Sequence, residues 1–158
     1  MNRVEVFSLD RRFKPFEKSI QKSARRILRT LNKNDILAEI YLINSRKMRF
    51  LNKKFRGKNK TTTILSFEEP RNFIFPHTKR GLVPSARKKY LSSFGVGVFP
   101  SKLKRIGEIY LKFPITNYPI NHLLIHGLLH LLGYNHSNKN DKIRMEVRED
   151  WLIRELGN

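Results

Sequence analysis

The chain has 158 residues, with 33 Lys+Arg against 13 Asp+Glu, a formal net charge of +20 at pH 7 and no cysteine. That length suits one domain with its own core, and the missing thiols exclude disulfides, thiolate metal sites and cysteine nucleophiles. No apolar run is long enough to span a bilayer, and the excess of cations favours a polyanionic partner, either nucleic acid or an anionic membrane surface.

Residues 3–8 alternate loosely and predict a first strand; their flanks lack the apolar segment of a secretory signal, and Glu5 and Asp10 argue against an organellar presequence. Phe16, Ile20, Ala24, Ile27, Leu28 and Leu31 recur at helical spacing with basic residues between them, predicting a helix over 16–31. Ile36–Ile43 reads as a strand between polar turns. Ser45 suits the N-cap of a short helix with Met48, Leu51 and Phe55 on one side, and Gly57 stops it. Thr62–Phe67 is β-branched and reads as another strand. Residues 68–93 hold three of the seven prolines and no periodicity, so they read as a long basic loop or flap. Phe94–Phe99 and Gly107–Phe113 suit a hairpin or two sheet strands. An apolar helix bearing histidines, a turn at 135–140 and a closing helix over 142–156 complete the chain. The pattern is α+β: residues 1–158 form a single domain in which a small mixed sheet of about four strands packs with helices.

The cations are unevenly spread. From Ile40 to Phe67 there is no carboxylate but eight cations: Arg46, Lys47, Arg49, Lys53, Lys54, Arg56, Lys58 and Lys60. From Pro70 to Gly107 there is again no carboxylate, with Arg71, Arg87, Lys88 and Lys89 among the cations. A solvated surface accounts for part of such an excess, but not for two long stretches free of acids. RNA or DNA contact accounts for them better, with Lys53, Lys54, Lys58, Lys60, Arg71, Arg87, Lys88 and Lys89 as the expected contacts. Phe73, Phe75 and Tyr90 lie among the cations of the second stretch, where they suit either stacking on unpaired bases or anchoring the loop.

The most specific signal lies in His126-Gly127-Leu128-Leu129-His130-Leu131-Leu132-Gly133-Tyr134-Asn135-His136. Positions i and i+4 share a helix face, so His126 and His130 can reach one metal ion. Gly133 suits a left-handed helix end, after which the chain can fold back and bring His136 to the same point. Three neutral imidazoles with a fourth position left to water describe a catalytic zinc site at the end of a helix in the C-terminal half, although nickel, copper and iron accept the same ligands. An interior imidazole with a hydrogen-bonded partner is the simpler account for His77, and an even one for His122. Gly127 stands where a zinc protease helix (H-E-x-x-H) carries its glutamate, so the usual in-helix base is missing. Arg56 is the candidate to hold a phosphate and stabilise developing charge, although by sequence alone it is one cation among eight.

These residues resemble the YbeY family of endoribonucleases, also described as rRNA maturation factors. The histidine segment follows a hallmark resembling H-G-x-L-H-L-x-G-Y-D-H at every specified position except Asn135. Leu51-Asn52-Lys53-Lys54-Phe55-Arg56 and Thr62–Phe67 are similar to the family's L-N-x-x-[YF]-R and T-[DN]-V-L-S-F segments, with Thr63 and Thr61 departing from the latter. Gly107-Glu108-Ile109 and the Met145/Glu149 pair match a G-[DE]-I strand and an M-x-x-x-E helix. The resemblance implies that His126, His130 and His136 hold one zinc ion and that Arg56 is the functional arginine. It also implies cytoplasmic processing of the 3′ end of small-subunit rRNA and ribosome quality control, with single-stranded RNA as substrate and the small subunit and its proteins as partners; a eukaryotic source would allow an organelle instead. Asn135 cannot act as a carboxylate base, so turnover that relies on the family aspartate would be slow here. Two other classes compete with the nuclease: a zinc-containing assembly factor that binds pre-rRNA without cutting it, and a peptide hydrolase. The latter is disfavoured by Gly127 and by the charge.

Overall fold

The computed structural model describes residues 1–69, 103–116 and 118–157. Within them β1 (Arg3–Ser8), β2 (Ile36–Ile43), β3 (Ile64–Glu68) and β4 (Lys104–Lys112) form one mixed sheet in the order β1-β2-β4-β3. β1, β2 and β4 are parallel, and β3 pairs antiparallel with β4. Parallel neighbours require a crossover; between β1 and β2 it is a 3-10 turn (Arg11–Phe16) followed by α1 (Glu17–Thr30).

Side chains alternate across a strand, and here the alternation divides the sheet into two unlike faces. Ala38, Ile40, Leu42, Ile109 and Leu111 point into the larger core, where they meet Ile20, Ala24, Ile27 and Leu28 of α1. The same core holds α3 (Ile120–Leu131) and α4 (Lys139–Gly157) through Leu124, Leu128, Met145 and Leu152. Tyr41, Ile43 and Leu65 point the other way, onto Met48 and Leu51 of α2 (Ser45–Arg56). β2 lies between the two cores, and all eight of its residues are buried.

The second face also contains a buried ionic cluster. Arg105 donates to Glu39 (2.8 Å), to Glu108 (2.6 Å) and to Glu69, while the Tyr41 and Tyr110 hydroxyls donate to Glu39 (2.9 Å) and Glu108 (2.8 Å). Burial alone would lower the Arg105 pKa, but the bonds and charges of Glu39 and Glu108 hold it above the ordinary range. Burial, followed by the charges of Glu39 and Glu108, pushes the Tyr41 hydroxyl up, so it stays a donor. Such a cluster is costly to break from one side, because the partners left behind are buried charges.

Among the described residues the strands and helices expected from the sequence are found, with shifted ends. Helix α2 is capped by Asn44, whose side chain accepts from the Lys47 amide at 2.9 Å, rather than by Ser45, which is its first residue. Phe55, expected beside Met48 and Leu51, is instead 55% exposed, and Asn52 takes the inward place. Gly57 ends the helix in the left-handed region (φ 68°). β3 begins at Ile64, β4 at Lys104 and α4 at Lys139. β4 finds its antiparallel neighbour in β3. Glu68 of the expected flap closes β3; the flap beyond Glu69 and the expected strand at Phe94–Phe99 lie outside the described residues.

Candidate metal centre

Helix α3 is buried almost all the way round: Leu123, Leu124, Ile125, Gly127, Leu128, Leu129 and Leu131 all face protein. His126 and His130, one turn apart, are half-buried at its margin. Gly127 is needed for close approach. A Cβ there would stand 2.8 Å from Ile64 Cδ1, 2.9 Å from Ile109 Cδ1 and 3.3 Å from Ser66 Oγ. The missing glutamate of the protease motif therefore has a physical cause: the helix is pressed onto β3 and β4 at that position.

The helix end turns the chain back. Gly133 adopts φ 93°, its amide bonds to the His130 carbonyl (2.9 Å), and the Tyr134 amide bonds to the Leu129 carbonyl (3.0 Å). Those two bonds make a Schellman cap. Asn135 follows, and its side-chain oxygen accepts from the Ser137 amide at 3.0 Å, forming an Asx turn around His136. The Asn138 side chain accepts from the Asp141 amide (2.9 Å) at the start of α4. The result brings the His136 ring to 5.3 Å from that of His126 and 5.0 Å from that of His130, centroid to centroid.

His126, His130 and His136 each offer a ring nitrogen within 4.8 Å of the others, and among the described residues they are the group that could hold a metal ion. Their partners settle which nitrogens are offered. His126 Nδ1 lies 2.7 Å from Glu149 Oε1, and His130 Nδ1 lies 2.9 Å from the Tyr134 carbonyl oxygen. Both acceptors demand N–H at Nδ1, which leaves each Nε2 with a bare lone pair. Those two Nε2 atoms face each other at 3.1 Å. With both rings neutral the two lone pairs repel, so the arrangement is satisfied by a cation between them, either a shared proton or a metal ion. Tetrahedral coordination with Zn–N of 2.0–2.1 Å implies an N···N separation of about 3.3 Å. The residues fit a metal.

Burial, followed by the neighbouring His126, holds the His130 imidazole below the usual histidine range, which keeps it in the neutral form a metal needs. The remaining candidates divide clearly. His122, one turn earlier, is exposed and outside the group. Arg56 ends α2, exposed, and among the described residues no hydrogen bond, ion pair or ring contact joins it to the histidines. Lys53, Lys54, Lys58 and Lys60 are exposed along the same helix and the loop after it. That loop is held in place: Asn52, buried, donates to the Lys60 carbonyl (2.7 Å), and Arg49 Nε donates to Asn59 Oδ1 (3.0 Å). Arg71, Arg87, Lys88 and Lys89, with His77, Phe73, Phe75 and Tyr90, lie outside the described residues.

Glu149, matched in the sequence only as part of the M-x-x-x-E helix and given no site role there, is the carboxylate that meets His126 Nδ1. Its signal was the four-residue spacing from Met145: Met145 is fully buried, so the next turn on the same face meets the edge of the core, where His126 stands.

The family described as Endoribonuclease YbeY matches residues 7–157. A solution structure from Thermotoga maritima, 18% identical, covers 98% of this chain and 91% of its own with a TM-score of 0.49. The endoribonuclease YbeY of Buchnera aphidicola from Schizaphis graminum is 36% identical over 139 residues, which span 87% of this chain and 75% of that one. The protein of the same name from Anaplasma marginale is 30% identical over 142 residues, 85% of this chain and 80% of that one. Over nearly its whole length, then, the chain belongs to the endoribonuclease YbeY family.

Proposed function

We propose that this chain is a single-strand-specific, metal-dependent endoribonuclease that acts in rRNA processing, at the 3′ end of small-subunit rRNA, and in ribosome quality control. The reading makes residues 1–158 one working domain, zinc the metal, and the cytoplasm the place of work, with the small subunit and its proteins as partners. The observation that carries it is the approach of His126 Nε2 and His130 Nε2 to 3.1 Å while both Nδ1 atoms are engaged by acceptors. The family and the acid-free basic stretch from Ile40 to Phe67 support RNA as the polyanion.

In this reading His126, His130 and His136 hold the ion through ring nitrogens. When bound, the ion supplies Lewis acidity at a phosphate oxygen and makes a water more acidic. The chain's own residues do the rest. Glu149 and the Tyr134 carbonyl fix two tautomers and ring orientations, so the ligands are preorganised. Arg56, at the end of α2, is the guanidinium assigned to grip a phosphate of the bound strand and to stabilise developing charge there. The attacking oxygen comes from water or from the RNA's own 2′-hydroxyl; Gly127 leaves no space for an in-helix base.

A cleavage assay on a single-stranded rRNA 3′ fragment tests this. Cutting requires metal and disappears in His130→Ala and in Arg56→Ala, with Arg56→Ala retaining its metal. Unchanged cutting by His130→Ala would assign the activity to a contaminant. Tight RNA binding without cutting by the metal-loaded wild type would assign the chain to ribosome assembly without catalysis.

A further inference from the structure

The outward side of α2 combines two features that the metal centre does not use. Met48, Leu51 and Asn52 occupy its buried side, while Arg46, Arg49, Phe50, Lys53 and Lys54 are all exposed. Their spacing of three, four, seven and eight residues from Arg46 places them along one helix face. Phe50 keeps 48% and Phe55 keeps 55% of its surface in water. Lys54 sits between the two rings, its Nζ 5.9 Å from the Phe50 centroid and 5.5 Å from that of Phe55. Phe55 is fixed from below: it meets Phe67 edge-on at 5.1 Å, and Phe67 meets Tyr110 edge-on at 5.8 Å. The chain therefore holds two half-exposed rings, steadied by a shared cation and, for Phe55, by the sheet, in a stretch of sequence that has no carboxylate from Ile40 to Phe67.

We propose that this side of α2 is a platform for unpaired RNA, on which Phe50 and Phe55 stack bases while Arg46, Arg49, Lys53 and Lys54 follow the phosphates. The proposal rests on the RNA reading above and adds where on the chain the strand lies. Exposed aromatics interleaved with cations suit single strands, because every unpaired base offers a π-face and a duplex hides its own. A lipid surface fits less well. An interfacial helix needs a continuous apolar side, whereas the apolar side of α2 is spent on the core and its two exposed rings are separated by Lys54. Phe55 lies in the family-like segment Leu51–Arg56, whereas Phe50 lies outside it.

Fluorescence anisotropy of the intact protein decides it, using an unstructured RNA dodecamer, the same ribose-phosphate length without bases, and a hairpin. Phe50→Ala weakens dodecamer binding about five-fold or more, as loss of one stacked base predicts, and leaves the abasic strand and the hairpin unchanged. Phe50→Trp restores binding. Lys53→Gln weakens dodecamer and abasic strand alike and lowers the slope of log affinity against log salt by about 0.7, the value for one phosphate contact on a single strand. Equal dodecamer affinity for wild type and Phe50→Ala overturns the platform. So does an equal loss on the abasic strand, or a loss confined to phosphatidylglycerol vesicles. Cleavage by the unaltered protein is scored separately, so a failed platform is distinguishable from a failed nuclease.

Discussion

Helices α2 and α3 lie on opposite faces of one sheet and depend on different physics. Seven of the twelve residues of α3 are buried, and its two half-buried histidines are held by Glu149 and by a backbone carbonyl. On α2 the buried residues are Met48, Leu51 and Asn52, and most of the rest is charge facing water. A metal centre demands ångström placement, so its residues do not tolerate exchange. A polyanion is attracted by summed charge over a Debye length of about 10 Å, so the single cations that only bind it, Lys53 and Lys54 among them, matter modestly and additively, unlike Arg56 in its proposed catalytic role.

The contrast can be broken most violently at Gly127. Gly127→Glu restores the protease motif on paper, yet it forces a carboxylate against Ile64 and Ile109. A cost above about 3 kcal/mol is expected for that burial, seen as a thermal midpoint lowered by roughly 6–12 °C; a folded variant with protease activity would refute the packing argument. Next comes Glu149→Ala, which removes the partner of His126 Nδ1. Metal affinity by competition with a chromophoric chelator should fall about 10–100-fold, while salt-dependent RNA binding stays as it was. On the other helix, Asn52→Ala frees the Lys60 carbonyl and the loop that carries Lys58. Urea unfolding should show a loss of about 1–2 kcal/mol with metal content unchanged. The smallest effect is expected at Asn135→Asp. Aspartate supplies the same oxygen to the Ser137 amide, so stability should move by less than about 0.5 kcal/mol. A large gain in cleavage rate would show that the turn is not this residue's whole role.

What could be read in the sequence was local. The i, i+4 histidines, the left-handed Gly133 and the return of His136 are all decided within eleven residues, and the structure assembles them as the spacing requires. The N-cap differed by one residue because Asn44 and Ser45 are both good caps and only geometry chooses between them. Phe55 looked inward because it continues the Met48 and Leu51 spacing; Asn52 took that place because its amide is needed for the Lys60 carbonyl. Glu39 shows where local reading stops. It sits inside an apolar strand with no exposed surface, and the residue that makes this tolerable, Arg105, is 66 positions away. The β2–β4 pairing is equally remote, and Glu149 acquires its role only once α4 lies beside α3.

The central claim is that His126, His130 and His136 form a metal centre on which RNA cleavage depends. Elemental analysis of the protein, purified without chelator and assayed for RNA cleavage in the same preparation, tests it most directly. The account predicts about one zinc or similar ion per chain, with ion and cleavage lost together in His130→Ala. An ion content far below one per chain in an active preparation, or an unchanged content in His130→Ala, would contradict it.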